Sequence, residues 1–222
     1  MEEGVVKAVK AVKPVVNNVK KAVAPSTGEA SVGFGNAFKY PFRRMKGMLN
    51  FLWILIPLLG IFIFYGYLTR IVKEFSAGKF EQLPEGSFGG DLKLGFFMFL
   101  KSIPFILAYG IIIFVLGLVS PWAGMAANFL ISILVTPILT VNFMNKETIG
   151  SYFEFKIVGA VFKNLGDYLI AFLKTIGLAI IFLIMFIVLV GIPSLYFTTY
   201  IFMADFYRRN VKESIVPVAP VK

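Results

Sequence analysis

The chain has 222 residues, of which 58% are hydrophobic and 16% aromatic, and its mean hydropathy is +0.83. Soluble domains are nearer half apolar, so this composition excludes an ordinary soluble domain and predicts a polytopic membrane protein. The chain contains no Cys and no His, which excludes thiol nucleophiles, imidazole bases and Cys/His zinc sites. Its net charge is +10.

A basic arm opens the chain. Its valines recur at helical steps of four and three between Val5 and Val23. Its lysines occupy one flank of that helix: Lys7, Lys10, Lys13, Lys20 and Lys21. Pro14 interrupts the pattern, so we predict an arm and linker, residues 1–37, that is disordered in solution and helical when docked on anionic lipid or a partner. A solvated basic tail is the alternative interpretation.

Five apolar segments follow, within a predicted membrane domain of residues 38–210. They are residues 48–68, 103–119, 122–144, 168–190 and 193–207. About 20 helical residues cross the hydrocarbon, so the second and fifth segments are short. We therefore predict an all-α integral membrane protein with about five apolar helices, some short or re-entrant, plus amphipathic interfacial helices. Residues 211–222 are predicted to be a disordered tail.

Basic residues flank the first apolar segment on both sides. They are Arg43 and Arg44 before it, and Arg70 and Lys73 after it. Pro57 and Gly60 permit a re-entrant hairpin that would keep both flanks on one side. A straight crossing is the preferred interpretation, because a turn exposed to lipid would leave carbonyl groups unsatisfied. In either case the four cations are candidate ligands for anionic headgroups or a partner.

Two charged, aromatic stretches, residues 69–101 and 145–167, separate the other segments. In the second stretch, apolar residues recur at helical spacing from Ser151 to Leu169, which predicts an amphipathic surface helix. A shift of 63 residues aligns Asp91 with Glu154, which indicates a weak repeat of a surface helix followed by a two-segment hairpin.

The turns within the two predicted hairpins, residues 119–124 and 190–194, are uncharged. Lys and Arg resist translocation, so we expect a multi-pass protein of the cell membrane with its charged stretches in the cytoplasm. The basic clusters lie beside apolar segments, and we therefore expect membrane lipid, not nucleic acid, as their partner. We expect no cleaved signal peptide, because the polar lead has no apolar core.

Three carboxylates, Glu81, Glu85 and Asp91, lie close together in the sequence after the first segment. Paired carboxylates can perform acid/base chemistry. Helix capping is the preferred interpretation, because no companion base or metal ligand accompanies them. We predict no catalytic residue, no metal site and no cofactor.

Four of the polar side chains inside the apolar segments are candidates for an intramembrane site: Asn128, Asn142, Lys174 and Asp205. An ionisable group inside a span marks a candidate path for an ion or substrate. Snorkelling of Lys174 to the cytoplasmic face, where Asp205 is a candidate partner, is preferred over such a path. For the two asparagines, helix packing is the modest explanation and a hydrophilic route the alternative.

A pattern in the middle of the chain resembles a family of small prokaryotic polytopic membrane proteins known only as a domain of unknown function. Its residues are Gly66 with Tyr67, Arg70 and Lys73, Leu83 to Glu85, Asp91, and Ile103 with Pro104. A later stretch, residues 153–169, is similar to the family's second surface helix. The resemblance implies an integral membrane fold with interfacial helices, and no established activity, substrate or cofactor.

These features favour a non-enzymatic membrane protein, a scaffold or accessory subunit that docks anionic lipid or a partner through its basic surface. A homo-oligomer or a subunit of a membrane complex is compatible with this expectation. A small oligomeric transporter or channel is the alternative, and an enzyme comes third.

Overall fold

The computed structural model describes residues 30–211. The five lysines of the basic arm and residues 212–222 of the predicted C-terminal tail lie outside the described residues, whereas Val211 is buried. The chain divides into two compact units, residues 1–30 and 31–222, and the described helices belong to the second. This unit begins inside the predicted linker, where Val32 and Ala37 are buried against the core.

The described part of the second unit is helical, without strands. Its α-helices are α1 (Phe34–Lys39), α2 (Met45–Met48), α3 (Leu59–Ser76), α4 (Phe88–Val119), α5 (Pro121–Leu134), α6 (Thr136–Lys146), α7 (Val158–Lys163), α8 (Leu165–Ile184), α9 (Gly191–Thr198) and α10 (Ile201–Asn210). Short 3-10 helices cover Pro41–Arg44, Leu49–Leu55, Ile149–Phe153, Phe155–Ile157 and Met185–Val188. The all-α prediction is confirmed for the described residues.

Within residues 30–211, two helical stretches are long and apolar enough to cross a membrane. They are α4 and the stretch Leu165–Ile187, which contains α8. The pair α5 and α6 would make a third span if its two bent halves are counted together. The membrane class predicted from composition is supported at this level.

The first apolar segment forms a helical hairpin, and the preferred straight crossing is wrong for this structure. The chain reverses at Pro57 and Leu58, where Leu58 adopts a left-handed φ of 62°. Backbone hydrogen bonds form within the turn, including Gly60 N–H to Ile56 O at 2.9 Å. They satisfy carbonyl groups whose exposure to lipid was the reason for preferring a straight crossing. The reversal brings Gly47 beside Tyr67, whose hydroxyl donates to the Gly47 carbonyl at 3.3 Å.

A second hairpin is formed by α4 and the bent pair α5 and α6. Ser120 separates α4 from α5, and its hydroxyl accepts the Ala123 N–H while Pro121 occupies the first turn of α5. The bend of 47° between α5 and α6 falls at Val135, two residues before Pro137, which has no N–H to continue the helical ladder.

The third hairpin runs from α8 through a turn at Leu189 to α9 and α10. Leu189 takes a left-handed φ of 58°. At Gly191 an added Cβ would lie 2.2 Å from the Phe182 carbonyl oxygen, so only glycine permits this close approach. The buried core lies where the C-terminal half of α3, the whole of α6 and α10, and the first turns of α4 and α8 meet.

The two predicted surface helices differ from each other in the structure. Residues 91–102 belong to the single continuous helix α4. Residues 149–163 form two 3-10 turns and α7, with a further break at Asn164 before α8. Tyr152 stacks between Phe105 and Phe143, at ring distances of 4.3 and 4.1 Å, and this tertiary packing overrides the helical periodicity. The predicted repeat therefore has no counterpart in the secondary structure.

Candidate functional site: the charged belt

The turn at Leu83–Glu85 collects both basic flanks of the first hairpin. Arg44 donates to the Leu83 carbonyl at 3.2 Å and pairs with the Glu85 carboxylate. From the other flank, Arg70 donates to the Glu85 carbonyl. The Tyr67 hydroxyl, also on α3, donates to the Pro84 carbonyl at 3.0 Å. The two ends of the hairpin are therefore held at one place.

Asp91, in the first turn of α4, completes this cluster. It is 2% exposed, and its Oδ2 accepts from Arg70 at 3.1 Å and from the Ser87 N–H at 2.8 Å. Arg70 Nε also faces Asp91 Oδ1 at 2.7 Å, as an ion pair without hydrogen-bond geometry. Asp91 thus caps α4 as predicted from its position, and it also binds α4 to α3.

A second group of charges surrounds the C-terminal end of α6. Glu147 pairs with Lys73 from α3, and its carbonyl accepts from Lys101 of α4 at 2.8 Å. The neighbouring Lys146 pairs with Glu154. The hydrogen bond from Lys146 lowers the pKa of the Glu154 carboxyl below its ordinary value, so this carboxyl is ionised at neutral pH.

A third group joins α8 to the end of α10. Arg209 Nη1 lies 2.8 Å from Asp167 Oδ2, and Arg209 Nε lies 3.1 Å from Asp205 Oδ2. Arg208 pairs with Asp205 at 2.8 Å and lies over the ring of Phe80, 5.2 Å from its centroid. The Phe80 carbonyl accepts from Arg43 at 3.2 Å. Arg43 is adjacent in sequence to Arg44 of the first group, so the third group lies beside the first.

We call these three groups of ion pairs together the charged belt. It comprises Arg44, Arg70, Lys73, Glu85, Asp91, Lys146, Glu147, Glu154, Asp167, Asp205, Arg208 and Arg209. Among the described residues, no ion pair involves residues 45–69, 102–145 or 168–204. Each hairpin consequently begins and ends in the belt, while all three turns are uncharged.

The four basic flanking residues predicted to bind lipid or a partner all make contacts within the chain. Arg43 binds the carbonyls of Phe80 and Glu81, and Arg44, Arg70 and Lys73 belong to the belt. The structure thus gives these cations an internal function that their sequence position did not reveal. An Arg that donates to backbone carbonyls looks identical, in sequence, to one that faces a headgroup.

The intramembrane candidates do not form one polar path. Lys174 and Asp205 make no direct ion pair with each other; Val32 stands between them. The Val32 N–H donates to Asp205 at 3.0 Å, and the Val32 carbonyl accepts from Lys174 at 3.4 Å. Asn142 is fully buried and binds Tyr207, Ser151 and Glu154. Asn128 accepts from Tyr109 within the second hairpin.

The candidate carboxylates are divided between two places. Glu81 and Glu85 line a half-open cavity of about 570 Å³ together with Arg44, Glu74 and Lys79. Asp91 does not line it, since it is engaged with Arg70. No group of three or more potential metal ligands occurs within residues 30–211.

A second cavity, of about 420 Å³, lies on the belt beside α7. It is lined by Lys146, Glu154, Lys156, Ile157, Gly159, Ala160, Lys163, Asn164 and Asn210. The sequence did not single out Lys156 and Lys163 as a site. Their spacing of seven residues on the expected surface helix was the available signal, but the convergence with α6 and α10 is tertiary.

The family model described as Protein of unknown function (DUF4013) matches residues 49–192. The chain belongs to this family. The DUF4013 match contains all three hairpin turns and the Leu83–Glu85 turn, and it confirms the resemblance to a domain of unknown function. Neither the curated proteins nor the solved structures contain a match to this chain.

Proposed function

We propose that this DUF4013 member is a non-enzymatic scaffold or accessory subunit that organises anionic lipid, or a partner, at one leaflet of the cell membrane. One observation carries the proposal: every hairpin has both ends in the charged belt and an uncharged turn. Such a molecule is anchored from one side, because charged residues resist entry into the hydrocarbon and neutral turns do not.

The proposed topology places the belt in the cytoplasmic headgroup region and the turns at Ser120 and Leu189 toward the opposite side. From Ser102 to Val119, α4 rises about 26 Å, which nearly spans the hydrocarbon. The 3-10 helix Leu49–Leu55 rises only about 14 Å, so the first hairpin is re-entrant and occupies one leaflet. Of the five apolar segments, the second, third and fourth then correspond to the candidate spans, and the first does not cross.

The re-entrant hairpin gives the scaffold a physical effect on the bilayer. Its turn exposes Leu55 and Leu58, and the 3-10 helix before it exposes Leu49 and Leu52. Volume inserted into a single leaflet expands that leaflet and favours curvature toward it. We further infer that Gly66, Tyr67, Arg70, the Leu83–Glu85 turn and Asp91 form a structural signature of this small prokaryotic family, because together they close the first hairpin.

The alternative function, a small oligomeric transporter or channel, would need polar side chains that line a common route. Asn128, Asn142 and Lys174 instead make hydrogen bonds within the chain at separate places. Unchanged solute flux in reconstituted Lys174→Ala and Asn142→Leu proteins would remove these residues from any route.

The proposal is tested first by topology, using the absence of Cys from the chain. Gly150→Cys, Trp122→Cys and Leu189→Cys each place one thiol at an exposed position. With a membrane-impermeant reagent we expect Gly150→Cys to react only from the cytoplasm, and the other two only from outside. Labelling of Gly150→Cys and Trp122→Cys from the same side would contradict the anchoring scheme.

The second test concerns lipid. The protein is extracted together with its surrounding lipid, and the anionic fraction of that lipid is compared with the fraction in the bulk membrane. We expect enrichment of anionic lipid, reduced as salt is raised because exposed charges are screened. Equal fractions in the protein shell and in the bulk membrane would contradict the lipid-organising function.

A further inference from the structure

We propose that the cavity beside α7 binds the headgroup of an anionic phospholipid, with preference for a phosphomonoester headgroup over a singly charged phosphodiester. We call it the α7 cavity. This inference rests on the proposed function and names its lipid site. Its walls come from the end of α6, Glu154 with the 3-10 helix Phe155–Ile157, α7 with Asn164, and the end of α10.

The charge of the cavity is the first argument. Its lining carries three lysines and one glutamate, which gives 3 − 1 = +2. Glu154 is already neutralised by its ion pair with Lys146. Lys156 and Lys163 are exposed and form no ion pair with any residue that the structure describes. Two cations therefore line the cavity without an ion-pair partner among the described residues, in contrast to the arginines of the belt.

Hydrogen-bond donors are the second argument. The Asn164 side-chain amide donates one N–H to the Ala160 carbonyl at 3.2 Å, which leaves its other N–H for a ligand. Each lysine ammonium group has three donors. A phosphomonoester carries between one and two negative charges at neutral pH and presents three acceptor oxygens, so it matches this set better than a diester does.

The surroundings of the cavity indicate a lipid and not a free anion. Phe155 and Phe162, each adjacent in sequence to one of the two lysines, are 57% and 61% exposed. Exposed aromatic rings interleaved with lysines are typical of a surface in contact with the membrane interface. The candidate span of α8 starts at Leu165, immediately after Asn164. The cavity thus lies at the level where phosphate groups and acyl chains meet.

The cavity also has the size of a small-molecule site. Its volume of about 420 Å³ falls in the range of ordinary ligand pockets. The larger cavity at Glu81 and Glu85 is less suitable for an anion, because three acidic residues and two basic ones line it.

The test measures lipid binding to the full chain in detergent micelles, by native mass spectrometry with phosphatidic acid, phosphatidylglycerol and phosphatidylcholine. The cavity variant is Lys156→Gln with Lys163→Gln. The control variant is Lys39→Gln with Lys46→Gln, which removes the same charge from two exposed lysines outside the cavity. Melting temperatures of both variants are measured to verify that they are folded.

We expect the wild type to prefer phosphatidic acid over phosphatidylglycerol, and both over phosphatidylcholine. The cavity variant should bind phosphatidic acid at least about 10-fold more weakly, because each lysine near an anionic group contributes attraction. The control variant should stay within about 2-fold of the wild type.

Several results would overturn the inference. An equal loss in the two variants would mean that net charge, and not the cavity, binds the lipid. Displacement of the lipid by inorganic phosphate at similar concentration would identify a free-anion site. Equal binding of phosphatidylglycerol and phosphatidic acid would refute the phosphomonoester preference. Unchanged anionic preference in the cavity variant would refute this site while leaving the proposed function standing, whereas a wild type without anionic preference would refute both.

Discussion

The stretches 44–91 and 146–163 both contain basic and aromatic residues. The first comprises the first hairpin with its flanks and the Leu83–Glu85 turn, and the second connects the second hairpin to the third. In the first, Arg44 and Arg70 bind the Leu83–Glu85 turn from two sides. In the second, only Lys146 is paired, and Lys156 and Lys163 face the α7 cavity. The arginines of the first stretch make contacts within the chain that hold the first hairpin together. Two lysines of the second stretch are exposed at the α7 cavity.

The difference follows from side-chain chemistry as well as from position. Arginine has a planar group with five donors and can bind two backbone carbonyls at once, so it suits a fixed joint. Lysine is a flexible, strongly hydrated point charge, which suits a headgroup that exchanges. We therefore expect substitutions in the two regions to change local stability differently. Hydrogen exchange measured in each stretch follows the two changes separately.

The largest effect is expected at the crossing of α3 and α4. A Cβ at Gly66 would lie 2.0 Å from the Asp91 carbonyl oxygen, so the helices would have to separate. Gly66→Val should lower the free energy of unfolding by about 4 kcal/mol and raise hydrogen exchange across residues 83–91. Gly110→Val, where nothing lies within 4 Å, is the matched control and should cost about 1 kcal/mol or less. Equal losses in the two variants would contradict the close crossing.

The second prediction concerns the stretch 146–163. Asn142→Leu would leave the buried Ser151 carbonyl and Tyr207 hydroxyl without their partner. Thermal unfolding should show a loss of about 3 kcal/mol, and exchange should rise in residues 149–163 but not in 83–91. Asn128→Leu, at an asparagine with a single described contact to Tyr109 and an exposed position, should lose less than about 1 kcal/mol. A rise of exchange in both regions would show that they are not independent.

Arg70→Gln tests the ion pair between Arg70 and Asp91 in the stretch 44–91. The substitution leaves the Asp91 carboxylate buried without its cation, and a loss of about 2 kcal/mol is expected after allowing for the partly exposed guanidinium group. Adding Asp91→Asn should recover part of that loss, because the uncompensated buried charge is removed. If the double variant is less stable than the sum of the single variants predicts, the ion pair is not the source of the effect.

The smallest effect is the acid response of the Lys146 and Glu154 pair. The folded pKa of Glu154 is lowered, so the pair stabilises the fold above the ordinary Glu pKa of about 4.3, and this stabilisation is lost as pH falls below it. The loss should be below about 1 kcal/mol, because the pair is partly exposed. Glu154→Gln should lack this part of the pH dependence in unfolding curves measured from pH 7 to pH 3.

The sequence predicted the helical class and the presence of helices apolar enough to cross a membrane, because hydropathy is a local property. It did not predict the hairpin at Pro57, since the choice between a straight helix and a reversal depends on Tyr67 and Arg44 reaching the same loop. The surface helix expected from Ser151 to Leu169 was wrong for a similar reason. Tyr152 and Asn142 impose contacts that no helical periodicity encodes.

The sequence also could not distinguish cations that bind lipid from cations that close the fold. Asp91 was predicted to cap a helix, and the structure adds its bond to Arg70 across 21 positions. Lys174 and Asp205 were placed near each other, but the peptide of Val32, which separates them, comes from the predicted linker.

The unbroken length of α4 has a mechanical consequence. With 32 residues it extends for about 48 Å, from the Arg70 joint to the neutral turn at Ser120. Pro104, inside this helix, removes one backbone hydrogen bond. A change of tilt of about 5° at Asp91 therefore displaces the far tip by about 4 Å only where the helix does not bend at Pro104. Under the proposed topology, a displacement at the charged belt would in this way reach the turn at Ser120.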